Sequence, residues 1–134
     1  MKVAGSPLSI LYVDDDDDIR TIVAMSLQLD PAIDLHMAAS GEEALALLDR
    51  RAGWTPDVVL LDVMMPGLSG PATWARMRER PGFARVPVLF MTARGRPVEV
   101  SEYRELGAAG TILKPFDPIH LATQIRYLLS ATSS

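Results

Sequence analysis

The chain has 134 residues, 49% of them apolar, a formal net charge of −4 and no cysteine. That length can bury one sizeable core and is too short for two ordinary domains, so one domain over 1–134 is expected, with its core at about 8–130 and short tails. Without cysteine there is neither a disulfide framework nor a thiolate metal site, and nothing argues for export, so a cytoplasmic location is the expectation. A chain lacking a basic excess offers nucleic acid a poor footprint. The apolar stretch Leu8 to Val13 is far too short for a membrane span or signal core and runs straight into aspartates, so no membrane insertion is expected.

In chain order, the first β-type run is Leu8 to Val13. Asp14 to Asp18 follow as five consecutive acids, which makes the acidity of the chain local. They can cap a helix whose apolar face carries Ile19, Ile22, Val23 and Leu27. A weaker run, Asp34 to Ala38, precedes Ser40 and Glu43, whose capping-box spacing opens a helix with Ala44, Leu45 and Leu48 inward. The third run is Val58 to Asp62. Ser69 and Pro71 then start a helix bearing Trp74 and Met77, closed by Pro81 and Gly82. Val86 to Met91 is the fourth run, followed by a polar helix from Pro97 to about Leu106 that stops at Gly107. After a short fifth run, Thr111 to Leu113, Asp117 and Pro118 signal a last helix with Leu121, Ala122, Ile125, Leu128 and Leu129 on its buried stripe.

Three of these runs are almost continuously apolar, as strands buried on both faces of a parallel sheet must be. Strict alternation with short connections predicts a doubly wound α/β sandwich. Ligand chemistry in such folds gathers at the carboxyl ends of the strands. Applied here, that rule collects Asp14, Asp15, Asp62, Thr92 and Lys114 on one rim. Three carboxylates brought together repel unless a cation neutralises them, and hard oxygen donors without His or Cys favour Mg²⁺ or a similar ion. A lysine and a hydroxyl beside such a cluster are the parts for holding a phosphoryl group, with one carboxylate as nucleophile. Each residue alone has a plainer reading: an aspartate run is commonly a helix cap, Asp62 a turn residue, Thr92 ordinary strand composition and Lys114 a surface lysine. Trp54, Trp74 and the methionines read as packing, and His36 and His120 lack ligand spacing.

These residues resemble the response-regulator receivers of two-component signalling, including the stand-alone chemotaxis type. The resemblance runs from Leu8 to about Leu129. It rests on Leu11-Tyr12-Val13-Asp14-Asp15-Asp16, on Leu60 to Gly70 around Asp62, on Met91-Thr92-Ala93, and on Gly107-Ala108-Ala109-Gly110 leading to Lys114-Pro115-Phe116. It implies a flavodoxin-like (βα)5 fold with strand order 2-1-3-4-5. It further implies Asp62 as phosphoacceptor and Mg²⁺ held by Asp15, Asp62 and the Met64 backbone carbonyl, with Asp14 acting through water. Lys114, the Thr92 hydroxyl and the Ala93 N–H would hold phosphoryl oxygens, and the Lys114–Pro115 peptide would be cis. Lys114 is one of only two lysines, the other being Lys2, and a compact ammonium suits a single phosphoryl oxygen. The implied partners are a histidine kinase or histidine phosphotransfer protein and a downstream protein target; the chain itself would be a monomer or weak homodimer, and not an enzyme.

Three positions bear on switching and on phosphoryl lifetime. Thr111 stands where the family commonly has an aromatic residue, so phosphorylation is expected to reach the partner face by a different or weaker route than an aromatic swing. Met64 and Arg94, two residues beyond Asp62 and Thr92, flank the path of an attacking water, and an apolar Met64 cannot orient it, so slow self-dephosphorylation is expected. A phosphorylation-independent docking module and an Mg²⁺-dependent aspartyl phosphatase are the alternatives. Against the first stands the intact acidic set, and against the second Met64, where such a phosphatase needs an acid. With only a short Ser/Thr/Ala tail after the last helix, the chain is expected to work alone or to be a piece of a larger regulator.

Overall fold

The computed structural model describes residues 6–93 and 95–132. Five strands form one parallel sheet in the order β2-β1-β3-β4-β5: β1 is Leu8–Val13, β2 Ile33–Ala38, β3 Val58–Asp62, β4 Val88–Thr92 and β5 Gly110–Leu113. The crossover helices are α1 (Asp17–Leu27), α2 (Gly41–Arg50), α3 (Gly70–Met77) and α4 (Pro97–Glu105), and α5 (Leu121–Thr132) follows β5. This is the doubly wound, flavodoxin-type sandwich.

The two-residue alternation of a strand sends neighbouring side chains to opposite faces, and the continuous apolar strands fill both. Ile10, Tyr12, Leu60, Leu89, Met91 and Ile112 pack with Val23 and Leu27 of α1 and Leu121, Ile125 and Leu129 of α5. Leu11, Val13, Leu61 and Phe90 pack on the other face with Leu48 of α2, Trp74 and Met77 of α3 and Tyr103 of α4. Fully burying one such aliphatic or aromatic side chain contributes about 1.5–3 kcal/mol.

The caps form as their spacing predicts. Asp16, Ser40 and Ser69 each accept a hydrogen bond from the backbone N–H three residues on, Ile19, Glu43 and Ala72 respectively. The boundaries differ most from the sequence pattern in two places, the others by a residue or so. The fourth strand begins at Val88 and not Val86, because Pro87 has no N–H to give a ladder; only its carbonyl takes part, accepting from Val59 N at 3.0 Å. The last helix begins at Leu121, because Asp117 turns its side chain onto its own chain. Its Oδ1 accepts from Ile119 N at 3.0 Å, and the Ser26 hydroxyl of α1 donates to the Pro118 carbonyl, so residues 117–120 form a turn anchored to α1.

Remote from the strand ends, Arg126 of α5 is 5% exposed and staples three segments. Its Nε donates to Asp30 at 2.8 Å, and its terminal nitrogens donate to the Ser6 hydroxyl at 3.1 Å and the Ser6 carbonyl at 2.8 Å. The hydrogen bond from Arg126 is the leading cause that holds the Asp30 carboxyl below its usual range. Arg126→Ala leaves that carboxylate and the Ser6 acceptors short of donors and is expected to cost about 3 kcal/mol, read by urea denaturation. A folded-state pKa below the unfolded value gives stability that is present above the unfolded pKa and lost as pH falls through the folded one. The wild-type advantage should therefore narrow in acid; a constant gap down to low pH would show that the ion pair is not its source.

Candidate phosphoacceptor site

The parallel sheet delivers five side chains to its carboxyl edge. Asp14 and Asp15 follow β1, Asp62 ends β3, Thr92 ends β4 and Lys114 follows β5. Asp14 is 0% exposed, Asp62 5% and Thr92 2%, whereas Asp15 points to solvent. Carboxylate oxygens of Asp14, Asp15 and Asp62 lie within 4.8 Å of one another. Lys114 reaches between them, donating to Asp62 Oδ1 at 2.8 Å and to Asp14 Oδ2 at 3.3 Å. Its backbone N–H donates to the Thr92 carbonyl at 2.9 Å, which fixes the base of the lysine against the end of β4, and its peptide with Pro115 is cis.

The electrostatics follow from that packing. Burial raises the Asp62 carboxyl above its ordinary range; Asp14 and Asp15 push the same way and Lys114 opposes them. For Lys114, burial alone would lower the ammonium, but its hydrogen bond to Asp62 and the charges of Asp14 and Asp62 outweigh burial and raise it. Lys114 therefore stays charged, yet one ammonium faces three carboxylates. Oxygen donors alone, a net negative charge and one accessible carboxylate, Asp15, fit a hard divalent cation.

The turn after β3 shapes the floor of the site. Gly70 donates to the Val63 carbonyl at 3.0 Å and lies so close that a Cβ there would collide with the Asp62 carbonyl oxygen. Only glycine lets α3 start against the backbone of Asp62. Gly67, with φ of +74°, provides the left-handed residue of the preceding turn. Met64 is 64% exposed beside the site. Ala93 is exposed immediately past Thr92, and Arg94 lies outside the described residues.

Thr111 is set apart from this cluster. It is half-buried on β5 and lines a groove of about 320 Å³ with Gly95, Val100, Ala109 and Leu113 among its walls. The space beside the short threonine side chain is open.

Two contributors escaped the strand-end rule. The Tyr12 hydroxyl donates to Asp14 Oδ2 at 2.7 Å, and the Arg20 guanidinium donates to the Asp14 carbonyl at 2.6 Å. Period-two alternation puts Tyr12 and Asp14 on one face, which was the available signal for Tyr12. Burial, followed by the hydrogen bond to Asp14, pushes the Tyr12 phenol far up, so it remains a protonated donor.

A buried aspartate at the end of the third strand of a doubly wound sheet, tied to a lysine and flanked by two more acids, is the strand-end acidic cluster expected of the receiver class. The sequence model for the response regulator receiver domain matches residues 10–126, and the chain belongs to that family. Among curated proteins, it is 34% identical over 132 residues to the transcriptional regulatory protein TrcR of Mycobacterium tuberculosis, covering 98% of this chain and 49% of TrcR. It is 33% identical over 126 residues to the response regulator Rre1 of Synechocystis, covering 94% of this chain and 53% of Rre1. The chain thus spans about half the length of these relatives. Among solved structures, the Vibrio cholerae chemotaxis protein CheY4 superposes with a TM-score of 0.81 at 31% identity, covering 92% of this chain and 99% of that one. A response regulator structure from Chloroflexus aurantiacus gives a TM-score of 0.79 at 32% identity, covering 93% and 99%. The protein is a receiver domain of two-component response regulators. Among the described residues no helix is long and apolar enough to cross a membrane.

Proposed function

We propose that Asp62 is the phosphoacceptor, that Mg²⁺ is the cation of the acidic cluster, and that the phosphoryl group comes from a histidine kinase or histidine phosphotransfer protein in the cytoplasm. The observation that carries this reading is the Lys114 ammonium at 2.8 Å from Asp62 and 3.3 Å from Asp14, since it puts a cation where charge develops during transfer.

In the transfer, an Asp62 carboxylate oxygen attacks phosphorus, the bond from phosphorus to the donor nitrogen breaks, and the imidazole takes up a proton as it leaves. Mg²⁺ held by Asp15, Asp62 and the Met64 carbonyl would neutralise the phosphoryl oxygens. Lys114 transfers its short contact from Asp62 to a phosphoryl oxygen, while the Thr92 hydroxyl and Ala93 N–H take the others. The protein is a signalling acceptor, not an enzyme with a diffusing product, and its phosphorylated form acts by binding a downstream protein. The exposed thioether of Met64 offers an attacking water no hydrogen bond, which favours a long-lived acyl phosphate. With Thr111 on β5, the signal passes to the partner by a different or weaker route than an aromatic swing.

Incubation with Mg²⁺ and acetyl phosphate, followed by intact mass, should show one phosphoryl adduct that is absent in Asp62→Asn and persists well beyond seconds after donor removal. An adduct of equal yield in Asp62→Asn would move the acceptor elsewhere.

A further inference from the structure

Tyr12 is an unusual lining for an acidic pocket. Its ring is fully buried in the layer between the sheet and helices α1 and α5, among the largest side chains of that core, and only its hydroxyl reaches the rim. There it donates at 2.7 Å to Asp14 Oδ2, the same oxygen that receives the longer 3.3 Å contact from Lys114. The other Asp14 oxygen accepts from Asp16 N at 3.0 Å. Asp14 therefore has both oxygens engaged by the protein, and a hydrogen-bonded chain runs from Tyr12 through Asp14 and Lys114 to Asp62.

From this chain we infer that Tyr12 is a positioning residue: its hydroxyl occupies Asp14 Oδ2 and so leaves Lys114 with its short contact to Asp62. The physical argument is competition for one oxygen. A buried carboxylate seeks full donor complement, and an oxygen stripped of a neutral donor draws the nearest cation. With Tyr12 in place, Asp14 is satisfied in part without using up a charge. Without it, the ammonium swings toward Asp14 and away from Asp62, and so leaves an Asp62 oxygen to any divalent cation in the pocket. Tyr12 thus keeps the lysine on the acceptor, where it competes with a divalent cation for Asp62. This inference rests on the proposed cation and acceptor roles for its metal and rate readouts, but not for its effect on Lys114.

Tyr12→Phe removes the hydroxyl and keeps the ring. In metal-free protein carrying Lys2→Arg, the single remaining lysine gives an isolated Lys114 side-chain methylene signal by NMR, and Tyr12→Phe should shift it. Mg²⁺ titrated calorimetrically should bind roughly three- to tenfold more tightly, while the acetyl phosphate reaction at saturating Mg²⁺ slows by a similar factor, each being the net scale of one hydrogen bond. A packing role alone would lower the melting temperature and leave all three unchanged. In an Asp14→Asn background Tyr12→Phe should change Mg²⁺ affinity no further, because the residue it acts through is gone. An unmoved Lys114 signal, or the same fold-change in both backgrounds, overturns the inference. Wild-type protein that binds no Mg²⁺ overturns the cofactor reading instead, and the Lys114 signal then decides the role of Tyr12 by itself.

Discussion

Lys114→Met is expected to slow phosphorylation by acetyl phosphate roughly a hundredfold or more at saturating Mg²⁺, the usual scale for losing one group aimed at developing charge. The structure explains why no neighbour can substitute. Lys114 is the one cation placed between Asp62 and Asp14 among the described residues, and Arg20, although near, is committed to the Asp14 carbonyl and to Asp17. The same change should destabilise metal-free protein by about 3 kcal/mol, because the buried Asp14 and Asp62 lose their counter-ion. Mg²⁺ should recover much of that stability and little of the rate, since a cation in the pocket offsets the repulsion without presenting an ammonium to a phosphoryl oxygen. Lys114→Arg makes a stringent companion: it keeps the charge, but a planar fork does not match a single oxygen at the bottom of a pocket, so stability should return and rate only partly. Initial rates from intact mass, with parallel thermal melts, separate the two effects. A Lys114→Met protein phosphorylated at the wild-type rate would remove Lys114 from the transfer step.

Much of this site is legible in the sequence, because one rule assembles it. Strands buried on both faces read as unbroken apolar runs, as in Leu8 to Val13 and Val58 to Asp62, and the first polar residue after such a run must fall at the rim. Asp14, Asp62 and Lys114 were placed on that rim by this rule, and their distances show that it does more than gather them loosely. What stayed hidden had no periodic signature. Tyr12 counts as an apolar strand residue in any pattern, although its hydroxyl works at the acidic cluster. Arg126 sits among the buried residues of α5 but reads as a polar break in the stripe, since nothing local shows that Asp30 and Ser6 are waiting for it across the fold. Boundaries failed where a side chain or imino nitrogen overrode hydrophobic pattern, at Pro87 and at Asp117. The open groove beside Thr111 is a third kind of case: the sequence shows a short side chain, and only the packing shows that no neighbour fills the space it leaves.

In chelator, Asp62→Asn should melt several degrees above wild type, an unusual sign for replacing a buried charged residue. The reasoning starts from the raised Asp62 pKa, caused chiefly by burial and reinforced by Asp14 and Asp15. An acid whose folded-state pKa lies above its unfolded value contributes stability that is fully present below the unfolded pKa and is lost as pH rises through the folded one. At neutral pH the ionised carboxylate therefore works against the fold, by an amount on the order of 1 kcal/mol for every tenfold gain in proton affinity on folding. Asparagine keeps the shape and still offers Lys114 an acceptor while removing the charge. The gap between the two proteins should shrink as pH falls and wild-type Asp62 takes up its proton. Millimolar Mg²⁺ should also close the gap, by stabilising wild type and leaving the variant nearly unmoved, since binding linkage acts only on a protein that still holds the ion well. Thermal melts from mildly acidic to neutral pH, with chelator and with Mg²⁺, test both arms on the order-of-degrees scale expected of a domain this size. If Asp62→Asn melts below wild type in chelator, the carboxylate is held by Lys114 more strongly than burial and its acidic neighbours oppose it. The pocket would then be electrostatically satisfied without a metal, and the strongest physical reason for placing Mg²⁺ there would be gone.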